Sequence, residues 1–316
     1  MKKSKIISVA SEVPSKKIHN NDFTKMGLDT NDEWIRSRTG IETRYICDQE
    51  KNESILSLSS NAAQRAILKA KLSPNDIDMV IAATSTPPES AFPSLAARVQ
   101  AECQIKMGPA FDISAACSGF NYALFTAEQF IATSQAKHIL IVAADELSKL
   151  IDWKDRSTCV LFGDAATAVI VSQSEEQGIL YSKIYANGKQ AHILTGDTKN
   201  KISMDGKQVF KNVLNVSLPA INEALAHCKL TLDDITFVIP HQANQRIMDK
   251  LKEKLNLKNS QLISIINKYG NTSAASIPLA LDKSLEKNKI KKNDILLMIG
   301  FGAGFTWGLN LVKWLA

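Results

Sequence analysis

One segment of the chain occurs twice, as Lys71-Leu72-Ser73-Pro74-Asn75-Asp76-Ile77-Asp78-Met79-Val80-Ile81 in the first half and as Lys229-Leu230-Thr231-Leu232-Asp233-Asp234-Ile235-Thr236-Phe237-Val238-Ile239 in the second. The second copy begins 158 residues after the first, which is half of the 316-residue chain. In each copy a helix-like stretch is followed by a short turn and then by an aliphatic run typical of a buried strand. The repeat therefore predicts a duplicated α/β unit.

The similarity between the two halves continues beyond this segment. Residues 114–117 (Ser-Ala-Ala-Cys) correspond to residues 273–276 (Ser-Ala-Ala-Ser), and the strand-like residues 138–144 correspond to residues 294–300. Aliphatic runs alternate with amphipathic helices, which is typical of sheets covered on both faces. We predict two halves, 1–172 and 173–316, that stack as layers of helix and sheet. Two independent domains are the alternative, with residues 172–178 as a short boundary.

Composition excludes several other classes of protein. With 45% hydrophobic and 22% charged residues the chain is typical of a globular protein, and it has no apolar run long enough for a signal peptide or a membrane span. The expected location is the cytoplasm. Five cysteines without C-x-x-C spacing predict neither a disulfide framework nor a metal site. The net charge of +6 is spread along the chain, which favours an anionic small ligand or an acidic partner over nucleic acid.

Cys117 is the cysteine whose position suggests chemistry. It follows the strand-like residues 110–113 and precedes a helix with apolar residues at helical spacing, so its sulfur is expected at a helix N-terminus. There the backbone N–H groups and the helix dipole would lower the pKa of the thiol and favour a nucleophilic thiolate. A small buried hydrophobe is the alternative role for this residue. We predict structural roles for Cys47, Cys103, Cys159 and Cys228.

Two polar residues of the second half lie in comparable positions. His241 directly follows the strand-like residues 237–240, and ligands of α/β folds bind outside the carboxyl ends of strands. Asn271 lies in the loop that corresponds, by the repeat, to the Cys117 loop. If a pseudo-twofold axis relates the halves, both loops face one pocket. A capping role remains the alternative for each residue.

The glycine-rich residues 300–308 follow another strand and superficially resemble a dinucleotide-binding loop. Only eight residues follow Gly308, which is too few for the crossover helix and next strand of a nucleotide-binding unit. We therefore interpret residues 300–308 as a bend that brings backbone N–H groups to a reacting carbonyl.

Four motifs together resemble the β-ketoacyl-acyl-carrier-protein synthase III family of the thiolase superfamily. They are Ser-Ala-Ala-Cys-Ser-Gly-Phe at 114–120, Pro-His-Gln-Ala-Asn-Gln-Arg-Ile at 240–247, Gly-Asn-Thr-Ser-Ala-Ala-Ser at 270–276 and Gly-Phe-Gly-Ala-Gly-Phe-Thr-Trp-Gly at 300–308. The resemblance implies a thiolase-like, internally duplicated five-layer αβαβα fold. It also implies a catalytic triad of Cys117, His241 and Asn271, with the backbone of Ala303 in an oxyanion hole where many family members have glycine.

The implied reaction starts fatty acid biosynthesis. An acyl-CoA primer, here acetyl-CoA, would acylate the cysteine, and malonyl-acyl carrier protein would then condense with the acyl group and lose CO2. The resemblance implies a homodimer and no cofactor, since acyl-CoA is a substrate; neither nucleic acid nor membrane is an expected partner.

The resemblance also assigns binding residues. Those for CoA are Thr30, Trp34, Arg38, Arg156, Gly206, Phe210 and Asn244. Trp34 and Arg156 would stack on the two faces of the adenine ring. Arg246 would contact the carrier protein, and Phe92, in Ser90-Ala91-Phe92-Pro93-Ser94, would reach across a dimer interface to close the partner's acyl pocket.

Three other functions are considered from the sequence. The first is a related condensing enzyme of specialised metabolism that uses another acyl-CoA. The second is a cysteine hydrolase, which the duplicated pattern and the absence of a Cys-Gly-Ser-Cys-Trp signature disfavour. The third is an inactive partner subunit, which the intact triad disfavours.

Overall fold

A computed structural model describes residues 1–88, 92–196 and 201–316. Its strands are β1 (Lys3–Glu12), β2 (Lys16–His19), β3 (Thr43–Ile46), β4 (Met79–Ala83), β5 (Ala110–Ile113), β6 (His138–Asp145), β7 (Ala165–Ser174), β8 (Ile179–Ala186), β9 (Leu194–Thr195), β10 (Ser203–Met204), β11 (Phe237–Pro240), β12 (Ile295–Gly302) and β13 (Thr306–Lys313). Its helices are α1 (Asn20–Lys25), α2 (Asp32–Thr39), α3 (Ile55–Lys69), α4 (Leu95–Glu102), α5 (Gly119–Ala132), α6 (Gly206–Cys228), α7 (Gln245–Lys254), α8 (Ile266–Tyr269) and α9 (Ser276–Glu286). Short 3-10 turns at Ala116–Ser118 and Ser273–Ala275 precede α5 and α9.

Two large mixed sheets have matching topology. The first has the strand order β1-β7-β6-β4-β5 and the second the order β11-β12-β13-β8. In the first, β4 pairs in parallel with β5 and β6, while β7 is antiparallel to β6 and β1. In the second, β11 is parallel to β12, and β13 is antiparallel to β12 and β8. An isolated parallel bridge from Val238 in β11 to Leu262 takes the place of the β4–β5 pairing.

This match extends the repeat that the sequence shows. The strands β1, β4, β6 and β7 correspond in order and direction to β8, β11, β12 and β13. The predicted boundary between residues 172 and 173 stays a prediction; β7 runs on to Ser174, and β8 of the second sheet begins at Ile179.

The sheets and helices form five layers. Helices α3 and α4 cover the outer face of the first sheet, α5 and α9 lie between the two sheets, and α6 and α7 cover the second sheet. The largest apolar cluster is the central one, where side chains of α5 and α9 such as Phe120, Leu124 and Leu279 pack against both sheets. Burial of this size is the main driving force for folding. The predicted five-layer αβαβα fold is confirmed.

Smaller elements build a lobe at one side of the layers. The two-stranded antiparallel sheet β2–β3 and the intervening helices α1 and α2 pack against residues 147–162 and α7 around a separate apolar cluster. Arg44 is fully buried there and donates to the Asn20 side chain at 2.8 Å and to the Val160 carbonyl at 2.6 Å. This lobe carries Trp34 and Arg38 towards the cavity described below.

No helix in the described parts of the chain is both long and apolar enough to cross a membrane. The glycine-rich residues 300–308 form the hairpin between β12 and β13, which agrees with the exclusion of a dinucleotide-binding loop.

Candidate active site

Cys117 lies where the first sheet meets the central helices. It occupies the 3-10 turn directly before α5, as the sequence predicts, and it is 9% exposed. Ala116 adopts a left-handed backbone conformation with φ of 45°, and Gly119 packs so closely on Ala83 that a Cβ there would lie 3.0 Å from the alanine Cβ. The small residues around Cys117 therefore allow the turn to fit against β4.

The corresponding turn of the second half, Ser273–Ala275, packs against the Cys117 turn. Its Ser273 has a φ of 51°, matching that of Ala116, and α9 begins at Ser276 as α5 begins at Gly119. The expectation that the two loops face one site is confirmed. The two loops therefore correspond, but the pairing of residues 114–117 with 273–276 is wrong by two positions. The structure matches Ala116 with Ser273 and Gly119 with Ser276.

Asn271 is held in one orientation. Its backbone N–H donates to the Leu161 carbonyl at 2.9 Å, and its carbonyl accepts from the Gly163 N–H at 3.0 Å. Its side-chain oxygen accepts from the Ser273 N–H at 2.9 Å. Because the amide oxygen is already engaged, the side-chain NH2 group is the part of Asn271 that is available as a donor to the cavity.

His241 directly follows β11 and is 1% exposed. Its Nδ1 lies 2.7 Å from the Ser276 hydroxyl, and the Phe301 ring packs edge-on with ring centroids 5.2 Å apart. Its backbone N–H donates to the Ile299 carbonyl at 2.8 Å. Ser276 and Phe301 thus hold the imidazole ring, and the bond to Ile299 holds the backbone, which leaves Nε2 as the remaining polar atom of the ring.

Burial determines the charge states of both reactive groups. It raises the pKa of the Cys117 thiol to about 12, a change that hydrogen bonding from Ser273 partly offsets and the Asp145 carboxylate reinforces. Burial lowers the pKa of His241 to about 3. The expectation of a lowered thiol pKa at the helix N-terminus is therefore wrong: burial is the largest influence on Cys117 and raises the pKa, so both groups are neutral near pH 7.

This charge state predicts how Cys117 reacts with a small alkylating agent. Because a raised pKa leaves the thiol protonated, the thiolate fraction rises about tenfold for each pH unit. We expect the rate of carbamidomethylation at Cys117, measured by peptide mass spectrometry, to increase steadily from pH 7 to pH 10. The Cys117→Ser variant corrects for the other four cysteines. A plateau near pH 8 would show instead that the thiol has a depressed pKa.

The hairpin after β12 touches the Cys117 loop. A Cβ at Gly302 would lie 2.7 Å from the Cys117 nitrogen, so only glycine allows this approach. The Thr306 hydroxyl lies 2.8 Å from the Ala303 carbonyl and 3.2 Å from the Ala115 carbonyl, and it accepts from Ser118 at 2.8 Å. These contacts fix the backbone of residue 303 beside Cys117.

Two cavities meet at Cys117. The larger, about 960 Å³, is lined by Cys117, His241 and Asn271 together with Phe301 and Gly302. The smaller, about 370 Å³, is lined by Cys117, Ser273 and Ala303 and by apolar side chains such as Leu147 and Leu150. The structure thus gathers the predicted triad around the larger cavity and places Ala303 on the smaller one.

The mouth of the larger cavity contains most of the other predicted binding residues. Its lining includes Trp34, Arg38, Arg156, Gly206, Phe210, Asn244 and Arg246. The guanidinium carbons of Arg38 and Arg156 each lie 4.9 Å from the Trp34 ring centre. Arg156 also pairs with the Asp29 carboxylate at 3.0 Å. An adenine ring between Trp34 and Arg156 would require these two side chains to separate.

Three of the predicted binding residues either lie outside the cavity linings or already make another hydrogen bond. Thr30 is outside the described lining of both cavities, and its hydroxyl is buried. The side-chain oxygen of Asn244 caps α7 by accepting from the Arg246 N–H at 2.9 Å, which leaves its NH2 group for other contacts. Phe92 is 83% exposed and outside the described cavity linings; Ser90 and Ala91 of its motif lie outside the described residues.

Sequence reasoning missed several residues that support the site. Asp145 is fully buried at the end of β6 and accepts from the N–H groups of Ser85 at 2.6 Å and Ala274 at 3.3 Å, which ties both halves together under Cys117. Ser276 contacts the ring of His241, and Thr306 contacts the Ala303 carbonyl within the β12–β13 hairpin. The Ser-Ala-Ala-Ser repeat could have drawn attention to Ser276, but no sequence signal indicated Asp145.

The duplicated five-layer fold, with a buried cysteine at the head of a central helix facing a histidine and an asparagine, defines an acyltransferase of the thiolase-like condensing enzymes. Comparison with known proteins agrees. A family model for 3-oxoacyl-[acyl-carrier-protein (ACP)] synthase III matches residues 111–188, and the model for its C-terminal part matches residues 225–314. The chain belongs to the β-ketoacyl-acyl-carrier-protein synthase III family.

Individual relatives cover the chain almost completely. It is 44% identical to β-ketoacyl-[acyl-carrier-protein] synthase III of Aquifex aeolicus over 98% of this chain and 99% of the relative. The solved structure of that synthase covers 98% of this chain and 100% of its own, with a TM-score of 0.95. A priming β-ketosynthase from the R1128 polyketide pathway is 32% identical, covers 99% of this chain and 97% of its own, and has a TM-score of 0.94. The resemblance read from the four motifs is confirmed.

Proposed function

We propose that the protein initiates fatty acid biosynthesis by condensing an acyl-CoA primer, acetyl-CoA in the first instance, with malonyl-acyl carrier protein. The observation that carries this proposal is the position of Cys117 at the junction of two cavities, with His241 and Asn271 beside it in the larger one. A nucleophile in that position can receive an acyl group into one cavity while its donor leaves through the other. The names of the relatives support the same reaction.

In the first half-reaction the Cys117 sulfur attacks the thioester carbonyl of the acyl-CoA. A new thioester forms on the enzyme, the bond to the CoA sulfur breaks, and the thiol proton ends on that sulfur. The backbone N–H groups of Cys117 and Ala303 are suited to bind the oxyanion formed during this transfer, because the hairpin contacts hold residue 303 beside the nucleophile. Covalent catalysis divides a difficult condensation into two steps.

In the second half-reaction malonyl-acyl carrier protein takes the place of CoA in the larger cavity. Cleavage of the bond to its carboxylate releases CO2 and leaves a carbanion stabilised as an enolate. His241 and the Asn271 NH2 group would donate to the enolate oxygen, since both are neutral donors that line the larger cavity. The carbanion attacks the carbonyl of the acyl-cysteine, the bond to the Cys117 sulfur breaks, and the 3-oxoacyl product forms. The departing thiolate then takes up a proton from solvent, which restores the Cys117 thiol.

The entrance carries charges that suit a CoA nucleotide. Arg38, Arg156, Lys207 and Arg246 line the larger cavity. Among its lining residues in the described parts of the chain, the acidic one is Asp205, which caps α6 by accepting from the N–H groups of Lys207 and Gln208. We assign Trp34 and Arg156 to the adenine ring and Thr30 and Arg38 to the nucleotide end of CoA. Gly206, Phe210 and Asn244 would border the pantetheine arm.

Arg246 is our candidate contact for the acidic carrier protein. It is exposed at the first turn of α7 and lines the cavity through which the malonyl group would enter. The nearby Lys250 already pairs with Glu253 at 2.6 Å, so it offers less free charge than Arg246. A surface cation next to the entrance attracts an acidic partner and orients it.

We further propose a homodimer. Strand β5 is the edge of the first sheet in the described chain, and its free edge is able to pair with a second copy. Phe92 and Met107, which are 83% and 99% exposed, lie in the segments before this strand. A second copy on β5 would bury such side chains, and Phe92 would then reach the partner's acyl pocket.

Neither a metal nor a prosthetic group takes part in the proposed reaction, because CoA enters as part of the substrate. All five cysteines are free, which suits a reducing compartment, and we propose the cytoplasm.

A second candidate function, a condensing enzyme of specialised metabolism, draws support from the smaller cavity. Its volume of about 370 Å³ and its lining by Leu147, Leu150, Leu194 and Ile202 offer more apolar space than a two-carbon acyl group fills. The polyketide-priming neighbour has the same fold. The difference between the two functions is therefore the length and branching of the primer.

A reconstituted reaction tests the proposal. The purified protein is incubated with malonyl-acyl carrier protein and, in parallel, acetyl-CoA or straight, branched and longer acyl-CoAs. We expect equal amounts of free CoA, CO2 and 3-oxoacyl-carrier protein, measured by mass spectrometry, with acetyl-CoA as a competent primer. Free carboxylic acid without a condensed product would indicate a hydrolase, and activity restricted to longer or branched primers would indicate the second candidate.

A further inference from the structure

The Ser276 hydroxyl makes a close contact with the ring of His241. Its Oγ lies 2.7 Å from Nδ1 of the imidazole and 3.3 Å from the backbone nitrogen of Gln242. Ser276 is fully buried at the start of α9, in the loop that also carries Asn271. Water therefore has no access to either partner of this hydrogen bond.

The direction of the hydrogen bond follows from an inventory of donors and acceptors. Gln242 N–H is a donor, so it occupies a lone pair of the serine oxygen. The serine proton then needs an acceptor, and within residues 1–88, 92–196 and 201–316 the Nδ1 atom of His241 is the one found at hydrogen-bonding distance. The reverse direction, with Nδ1 as donor, would leave the serine proton buried without a partner, which is unfavourable.

We propose that Ser276 is a positioning residue that donates to Nδ1 of His241 and thereby keeps the ring proton on Nε2, facing the malonyl thioester. A neutral imidazole carries one N–H, so an accepting Nδ1 requires a protonated Nε2. Burial keeps the ring neutral, because it lowers the pKa of His241 to about 3. The inference rests on the proposed condensation and specifies which form of His241 serves it.

In this tautomer, Nε2 of His241 can act as a hydrogen-bond donor but not as a base. An Nε2 atom that already bears a proton donates to a developing enolate oxygen but does not accept the thiol proton of Cys117. Acyl transfer to Cys117 is therefore expected to depend little on Ser276, whereas decarboxylation of the malonyl group is expected to depend on it. In other enzymes, an imidazole held in the wrong tautomer loses most of its catalytic value.

The test combines nitrogen-15 NMR of histidine-labelled protein with the two half-reactions. In the wild type we expect the His241 signals, assigned by their loss in His241→Gln, to show a protonated Nε2 and a bare Nδ1. In Ser276→Ala we expect a mixture of tautomers and a decarboxylation rate lower by about 10- to 100-fold, with Cys117 acylation within about threefold of wild type. Ser276→Thr, which keeps the hydroxyl, is expected to recover most of the loss.

A second histidine–serine pair provides the matched control. His138 Nδ1 lies 2.7 Å from the Ser172 hydroxyl, in strands β6 and β7 and outside the described cavity linings. Ser172→Ala should alter the His138 signals and leave both half-reactions unchanged. A wild-type His241 with its proton on Nδ1 would overturn the inference, as would a Ser276→Ala protein with unchanged tautomer and decarboxylation. Because the NMR measurement needs no turnover, failure of the proposed function would be seen separately, as a lack of condensation by the wild type.

Discussion

Replacing Cys117 by alanine is expected to abolish formation of the acyl-enzyme and to reduce condensation by at least about a thousandfold. The side chain is buried at the junction of the two cavities, so no neighbouring group can replace the sulfur as the acyl carrier. Incubation with acetyl-CoA should add one acetyl group to the wild type, detected by intact-mass spectrometry and located by peptide mapping. The alanine variant should remain at its unmodified mass.

Cys103→Ala serves as the matched control for this experiment. Cys103 is also a buried free cysteine, but it follows α4 and its sulfur contacts the Ser60 carbonyl at 3.6 Å, beneath the outer helices of the first sheet. Its replacement should leave both the adduct and the condensation unchanged. An acetyl adduct that persists on Cys117→Ala, or that disappears in Cys103→Ala, would contradict the assignment of the nucleophile.

The sequence best predicted the strands and loops that occur in both halves of the repeat. An aliphatic run that begins after Asp-Ile is typical of a buried strand. Residues 71–81 and 229–239 therefore predicted β4 and β11. A nearly equal offset, 159 rather than 158, paired the Cys117 and Asn271 loops, which meet in the structure. Duplication thus turned two weak local signals into a prediction about three-dimensional contact.

Charge states were less predictable, because they depend on desolvation by residues far apart in the sequence. A position before α5 indicated a depressed pKa for Cys117, yet burial raises this pKa to about 12. The buried Asp145 contributes to that result, and it comes from β6 rather than from the nucleophile loop. Local sequence gives the dipole of one helix, whereas hydration depends on the packing of every surrounding element.

The hydrogen bonds that hold the site residues in place could not be predicted from the sequence, for a related reason. Thr306 holds the hairpin to the nucleophile loop across about 190 residues of sequence, and a threonine in a strand is ordinary in itself. Ser276 looks like a residue at the start of a helix until its contact with His241 is known. Such contacts follow from the way the two halves dock, which the sequence pattern does not specify at the level of single atoms.

The second large effect is expected from His241→Ala, which should separate the two half-reactions. Acetylation of Cys117 by acetyl-CoA should stay within about threefold of the wild-type rate, because the thiol proton leaves on CoA and the backbone of Cys117 and Ala303 binds that oxyanion. Decarboxylation of malonyl-acyl carrier protein should fall by about 10²–10³-fold, the usual cost of removing one oxyanion-hole donor. The measurements are intact mass for the first step and release of labelled CO2 for the second.

The pH dependence of decarboxylation by the wild type is a second test of the role of His241. Burial lowers the pKa of His241 to about 3, so the ring stays neutral and keeps donating as the pH falls from 8 to 5. Decarboxylation should therefore show neither a loss nor a gain through the usual titration range of histidine, near 6.5, because the charge on this donor does not change. His138→Ala, which removes a half-buried histidine outside the described linings of both cavities, should leave both half-reactions intact. CO2 release unchanged in His241→Ala would show that the imidazole does not stabilise the enolate, and Asn271 would then have to supply the donor alone.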